Sequence, residues 1–392
     1  MMSELLESRW TETKDALLEG LDGNKKSVMA ATLENTRKYL SESATAGATS
    51  AGNVATLNRV ILPVIRRVMP TVIANELVGV QPMTGPVGQI HTLRVRYADA
   101  FNSANGTDTS AGEEALSPFK IAEGYSGATD DRAATTAALE GNAGRKLSIQ
   151  ILKQTVEAKS RKLSARWTFE AAQDAQSMHG IDVEAEIMAA LAQEITAEID
   201  QEVLASLNSL AGNAAETYDQ AAVSGTATFV GDEHAALAVQ INRVANLIAQ
   251  RTRRGAGNWA VVSPFALTIL QSATTSAFAR TTEGTFEAPT NTKMVGTLNN
   301  AMKVYVNTYA ADTAPVLIGY KGASESDAAA FYCPYIPLMS SGVVLDPTSF
   351  EPTVSFMTRY GYVELSNTAS SLGNAADYLE KVEVTAANLS FS

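Results

Sequence analysis

The sequence is short of most residues on which catalysis, metal binding or covalent bracing would rest. It has one cysteine, Cys333, in 392 residues. An internal disulfide and a cysteine-based zinc site are therefore excluded, and the chain suits a reducing compartment. Cys333 stands in the apolar run "AFYCPYIPLM", so it reads as a buried structural thiol. There are three histidines, His91, His179 and His234, which are far apart in sequence. No uninterrupted apolar run reaches the roughly 18 residues needed to span a bilayer. The opening "MMSELLESRWTETKDALLEGL" mixes charge into every turn and lacks the apolar centre of a signal peptide. A soluble protein made in the cytoplasm is expected, with no membrane partner. Positive charge is in deficit too, the formal net charge being −12, which argues against a basic nucleic-acid-binding domain.

Catalytic motifs are also missing. There is no Walker A loop, no Gly-x-Ser-x-Gly elbow, no His-Glu-x-x-His and no EF-hand loop. "RRGAGNW" contains Gly-x-Gly, but it follows a helical stretch and leads into a strand, the reverse of the order that cradles a dinucleotide. Glu194, Glu198 and Glu202 lie four apart, yet none of the histidines supplies the Glu-x-x-His partner of a carboxylate metal site. They read as a solvated or inter-subunit acidic face. Neither an enzyme nor a cofactor is expected.

What is present is organisation. Residues 1–42 give two amphipathic helical pieces about the turn "DGN", and "SATAGATSAGN" (Ser43 to Asn53) follows as a linker. Residues 1–56 thus read as a detachable arm and linker. The apolar stretch 57–87 is interrupted by Pro63 and Pro70 and carries Arg66 and Arg67 side by side, on a solvated or inter-subunit helix face. "GVQPMTGPVGQIHTLRVRY" then changes from a Gly/Pro loop to an alternating strand, in which Arg94 and Arg96 point to one face. Roughly fifty residues rich in Gly, Ser, Ala, Thr and Asp come next and are expected to bury no core of their own. "RKLSIQILKQTVEAKSRKLSARWTFE" returns with period-two alternation. Residues 88–170 therefore read as a protruding β-hairpin.

Residues 171–230 hold the most regular element. Asp182 caps a helix whose Met188, Leu191, Ile195, Ile199, Val203 and Leu207 follow one face. About 27 helical residues would make a spine roughly 40 Å long. From 231 to 345 the pattern is mixed α/β: a helix, a strand Trp259 to Val262, a helix opened by Ser263 and Pro264, then strands in "MKVYVNTYA", "PVLIGYKG" and "AFYCPYIPLM". The tail 346–392 carries the strand "PTVSFMTRYGYVEL".

Five blocks carry a resemblance. "IANELVGVQPMTGPVGQIHTLRVRY", "EAKSRKLSARWTFEAAQDAQSMHGIDVEAE", "GNWAVVSP", "VLIGYKGASESDAAAFYCPYIPLM" and "PTVSFMTRYGYVEL" resemble, in the same order, the major capsid proteins of T4-like tailed bacteriophages. The resemblance implies an α+β, HK97-type capsid fold: an N-terminal arm, an extended hairpin, a peripheral domain with a spine helix to which 346–392 returns, and an axial domain. It implies a homo-oligomer whose hexamers form an icosahedral head around packaged DNA, held without specific binding. The implied partners are a vertex protein, a portal, a scaffold protein, a prohead protease and decoration proteins. Assembly would take place in the host cytoplasm, and the product would be the virion. A pentameric vertex protein of the same fold and an encapsulin-like compartment shell are the alternatives. The hairpin would reach over a neighbouring subunit, with Arg94 and Arg96, like Arg66 and Arg67, meeting acids across the boundary. The polar excursion looks shorter than the insertion domain of larger members. The family's protease favours an apolar residue two before a glutamate, which Leu40-Ser41-Glu42 offers for a cut between Glu42 and Ser43; Leu17-Leu18-Glu19 and Leu5-Leu6-Glu7 fit as well.

Overall fold

The computed structural model describes residues 10, 14, 18, 23 and 26–35, then 73–102, and most of 108–385. Within that last span 114, 116–124, 128–132, 141–143, 180–181, 220–229, 253, 273–277, 281–292, 300, 325–326, 347, 350 and 366–374 are not described. The chain folds as two units. One takes in 1–88, 156–206 and 331–363, the other 89–155, 207–330 and 364–392.

The first unit is built on a five-stranded sheet. Its strands are β1 (Gly79–Val80), β4 (Lys159–Arg166), β11 (Ala330–Ser340), β12 (Val344–Leu345) and β13 (Pro352–Glu364). The order is β1-β11-β13-β12, and β4 also pairs with β13. β11 is the continuous apolar run read from the sequence, and nine-residue burial from Ala330 to Leu338 is broken only at Tyr335, as expected of a strand covered on both faces. β4 runs antiparallel to β13 from Thr353↔Arg166 to Tyr360↔Lys159. The alternating stretch after the polar excursion is thus divided at Ala158, and only its first part belongs to the hairpin.

Two of the helices before the spine belong to this unit. α1 (Ala74–Leu77) is a single turn, and α3 (Phe169–His179) leads into α4 (Val183–Leu210), which has 28 residues and is about 42 Å long. Asp182 Oδ1 accepts the N–H groups of Glu184 and Ala185, at 3.1 and 3.4 Å, which satisfies two donors that the first turn leaves open. The predicted stripe Met188, Leu191, Ile195, Ile199, Val203 and Leu207 is buried throughout.

The described part of the N-terminal segment is docked. Val28, Met29 and Leu33 of the helical stretch 26–35 are buried. Asn35 Nδ2 donates to the carbonyls of Met83 at 2.5 Å and Tyr335 at 3.2 Å. An amphipathic stretch read as detachable therefore has Val28, Met29 and Leu33 covered and Asn35 stitched down. Asn35→Ala would leave two carbonyls without this donor and should destabilise the first unit by about 1–2 kcal/mol. Urea unfolding followed by tryptophan fluorescence measures it, and an unchanged midpoint would refute the stitch.

The second unit contains a two-stranded sheet, β2 (Val87–Tyr97) with β3 (Leu147–Glu157), which is the expected hairpin ribbon. A short helix, α2 (Thr136–Leu139), lies in the excursion between them. Contrary to the expectation from composition, this excursion buries a small core. Tyr97, Phe101, Ala115 and Tyr125 cluster there, with the Tyr97 and Tyr125 rings 4.6 Å apart. The Arg145 guanidinium lies 4.1 Å over the Phe101 ring and donates to the Tyr125 carbonyl at 2.8 Å. Three aromatics supply enough apolar area to order a segment otherwise poor in it.

The rest of the second unit is a seven-stranded sheet. It joins β5 (Glu216–Asp219), β14 (Leu379–Thr385), β10 (Val316–Gly319), β6 (Trp259–Val262), β9 (Met302–Val306), β8 (Lys293–Leu298) and β7 (Phe278–Arg280), in that order. α5 (Val230–Thr252) and α6 (Pro264–Ser272) share its core through Leu237, Ile241, Val244, Ile248, Ile269 and Leu270. Ser263 Oγ accepts the N–H of Ala266 at 3.2 Å, so the predicted Ser-Pro start of α6 is a true cap. The tail 346–392, expected to return as one strand to the peripheral part, divides instead. β13 joins the five-stranded sheet, whereas β14, whose Leu379, Glu380, Val382 and Val384 are buried, lies between β5 and β10.

Candidate assembly surfaces and the clamps behind them

The acidic row of α4 is clamped from within the first unit. Arg161 on β4 donates to Glu198 Oε2 at 2.6 Å, to Glu202 Oε2 at 2.5 Å and, through Nε, to the Tyr360 hydroxyl at 2.6 Å. The Tyr360 hydroxyl also donates to Glu202. Burial alone would lower the Arg161 pKa, but its bonds to Glu202 and Tyr360 outweigh that and raise it. Burial likewise pushes the Glu202 carboxyl up, and the bonds from Tyr360 and Arg161 bring it below the usual range. Glu198 and Glu202, read from the sequence as a solvated or inter-subunit face, thus tie the spine to the sheet. Arg161→Met keeps the aliphatic stem and removes the fork. Because these carboxylates are half-exposed, a loss of about 2 kcal/mol is expected, visible as a lower melting temperature of the unassembled subunit; a change below about 0.5 kcal/mol would sink the clamp.

A second polar residue interrupts the apolar stripe of the spine. Asp200 is 4% exposed, and its Oδ1 accepts the Ile73 N–H at 2.9 Å. Burial pushes its carboxyl up to about 7, against the smaller opposing pull of that hydrogen bond. Cys333, in the same unit, is buried, and burial pushes its thiol up to about 11. Little thiolate exists at neutral pH, which agrees with the structural role read from the sequence.

In the second unit, the Gly-x-Gly turn serves packing. A Cβ at Gly255 would lie 2.6 Å from Tyr320 Cε2, and one at Gly257 would lie 2.8 Å from Ile318 Cγ2. Arg254 beside this turn donates to Asp327 Oδ1 at 2.6 Å, and Tyr378 donates to the same oxygen at 3.3 Å. Burial, with Asp327 nearby, pushes the Tyr378 hydroxyl up to about 12 despite the opposing charge of Arg254. His234 is buried and meets the Ser272 hydroxyl at 2.6 Å. That hydroxyl also donates within reach of the Thr268 and Ile269 carbonyls, so the pair pins α6 to α5.

Of the residues singled out by the sequence, Leu40, Glu42, Ser43, Arg66 and Arg67 lie outside the described residues. Arg94 lies on β2. Arg96 Nη1 donates to the Gly112 carbonyl at 3.3 Å, inside its own loop. The surface that sequence reading did not single out is apolar. Leu147, Ile149 and Ile151 alternate along β3 and are 53%, 69% and 67% exposed. A groove of about 300 Å³ opens in the first unit, lined by Trp167, Phe169, Val343 and Leu345 among others. Among the described residues no three His, Cys, Asp or Glu side chains converge as metal ligands, and no helix is long and apolar enough to cross a membrane.

Clamped elements, pinned helices and an exposed apolar ribbon are the equipment of a structural protein that works through its surfaces. The chain belongs to the Gp23 major capsid protein family, which matches it over residues 54–384. It is 30% identical to the major capsid protein of Vibrio phage KVP40, with 83% of this chain and 80% of that protein covered. It is equally 30% identical to the major capsid protein of Enterobacteria phage T4, over 82% and 78%. The capsid of Myoviridae phage XM1 superposes with a TM-score of 0.44 at 11% identity, over 80% of this chain and 92% of that one. The named relatives are major capsid proteins, so the family reading stands over the vertex and compartment alternatives. The protein is a structural component of the virion capsid.

Proposed function

We propose that the chain is the HK97-type subunit that assembles in the host cytoplasm into rings of six, and that the rings join into an icosahedral head enclosing DNA. The observation that carries this reading is the β3 ridge. Three branched side chains more than half exposed on a two-stranded ribbon are costly in water, at about 25 cal/mol for each Å² of apolar surface, and a ribbon of two strands is marginal by itself. A neighbouring subunit supplies both the cover and the support. Heterologous contacts of this kind close into rings, and many modest contacts acting together hold a shell.

In this reading Arg66, Arg67, Arg94 and Arg96 serve inter-subunit contacts. A vertex protein and a portal complete the head, a scaffold protein templates it, and decoration proteins bind the finished surface. The prohead protease cuts after Glu42. The docked helix 26–35 gives that cut a consequence, since its removal uncovers the carbonyls of Met83 and Tyr335. Electron microscopy of the full-length protein, with mass spectrometry of its N-terminus before and after maturation, tests the proposal. Hexameric rings or shells and a terminal mass beginning at Ser43 are expected. A stable monomer under assembling conditions overturns the shell reading, and an intact N-terminus in mature particles overturns the cut alone.

A further inference from the structure

We propose that the face of the five-stranded sheet turned away from the spine binds the phosphate backbone of double-stranded DNA and reads none of its bases. The choice of DNA rests on the shell-subunit reading, in which the chain encloses it. Arg161 points from β4 to Glu198 and Glu202 of α4, so Lys162, Ser164 and Arg166 stand on the opposite side of the sheet. Paired residues share a face, and the register puts Met357 beside Lys162, Ser355 beside Ser164 and Arg359 beside Ser160. Lys162, Ser164, Arg166 and Ser355 are exposed. A groove of about 440 Å³ opens there, lined by Lys162, Ser164, Ser340, Ser341 and Ser355 among others.

The groove is equipped to donate. Ser341 Oγ is taken up by the turn, donating to the Gly342 carbonyl at 2.9 Å and accepting the Ser355 N–H at 3.0 Å. Ser340 Oγ accepts the Gly342 N–H at 3.0 Å, which leaves its own proton to be donated. Serine hydroxyls and Lys or Arg cations are common partners of phosphate oxygens. Charge sets this face apart from the rest of the chain. β4 and β13 carry Lys159, Arg161, Lys162, Arg166 and Arg359 against one acid, Glu364 at the end of β13, in a chain of net charge −12. From Lys162 to Arg166 the strand runs about 13 Å, a length over which one DNA strand carries about four phosphates. Glu351 lies 3.6 Å from Arg166 and holds that end of the face nearer neutrality, so Lys162 and Arg359 are the principal contacts. Arg359 is steadied over the Tyr335 ring, 5.3 Å from its centroid. An acidic protein segment would need apolar anchors as well, and none of the exposed large apolar residues lies on β4 or β13. Phosphate contacts of this kind are weak singly and add across the many copies of a shell.

The test uses the full-length protein and a short, fluorescently labelled DNA duplex of mixed sequence, with binding read by anisotropy as salt is raised. Wild type should bind, with log K falling against log salt at a slope of about −2 to −3, as two or three neutralised phosphates require. Lys162→Gln with Arg359→Gln should weaken binding about tenfold and flatten the slope by about two. Ser355→Asp, which adds a negative charge at an exposed position, should weaken it as well and guards against a folding defect in the first variant. Arg243→Gln removes an exposed cation of the other unit and should leave binding unchanged. Equal affinity and slope in wild type and both face variants overturn the assigned face. So does a poly-glutamate peptide that binds more tightly than the duplex, which would mark an acidic protein as the partner. Electron microscopy of the same preparations separates the two readings. Shells whose DNA binding ignores the variants overturn the face and leave the shell reading standing, whereas variant-sensitive DNA binding by a protein that forms neither rings nor shells does the reverse.

Discussion

Arg251→Met should cost the second unit about 3–5 kcal/mol, the usual consequence of removing one partner of a buried ion pair. Arg251 on α5 meets Glu380 on β14 at 2.5 Å, and the Glu380 side chain is 4% exposed. The methionine preserves most of the stem packing and leaves the carboxylate with the Lys381 N–H, 3.1 Å from its other oxygen. A loss of that size is a large part of the 5–15 kcal/mol by which domains are stable. Differential scanning calorimetry should therefore show a much lower first transition. Adding Glu380→Gln, which removes the stranded charge, should recover most of the loss. A single variant that melts within a degree or two of wild type would refute the argument.

The second large effect has the opposite sign. Asp200→Asn should stabilise the first unit by roughly 4 kcal/mol at pH 8, because the carboxyl stands about three pKa units above its ordinary value and each unit is worth about 1.4 kcal/mol. The asparagine oxygen can still accept the Ile73 N–H. The native carboxyl titrates at about 7 against an ordinary 3.8, so above pH 7 the folded state holds a charge that burial disfavours. Between about pH 7 and pH 4 the native state binds the proton that the unfolded state has not yet taken up, and wild-type stability rises as pH falls. The advantage of the variant should be full above pH 7, shrink through that window and vanish below pH 4. Urea melts of both proteins from pH 4 to pH 8 measure it. A difference independent of pH would mean that Asp200 is not the titrating group.

Much of the fold was legible where the signal is local. "WAVV", bounded by a Gly-Asn turn and Ser-Pro, gave the strand Trp259–Val262 to the residue. The six-residue stripe of the spine helix is its buried face. The features that escaped depend on partners far away in sequence. Nothing near Glu198 or Glu202 announces Arg161, which lies 37 and 41 positions earlier. Asp200 looks like one more charge on a solvated helix until Ile73, 127 positions distant, meets it. The core in the hairpin excursion rests on a few aromatics and one arginine, which an average over composition hides. The ridge was visible as period-two alternation on β3, but alternation cannot say which face of a ribbon stays uncovered.

β4 is the outer strand of its sheet, since β13 is its one partner strand among the described residues. Its other edge offers backbone donors and acceptors that an extended chain could pair with. Lys159, Lys162 and Arg166 are exposed along it, with Arg161 between them. Bringing two such edges together would stack cations against cations, a recognised defence against edge-to-edge aggregation. The strand that anchors the spine clamp thus also carries the like charges that disfavour pairing of two such edges.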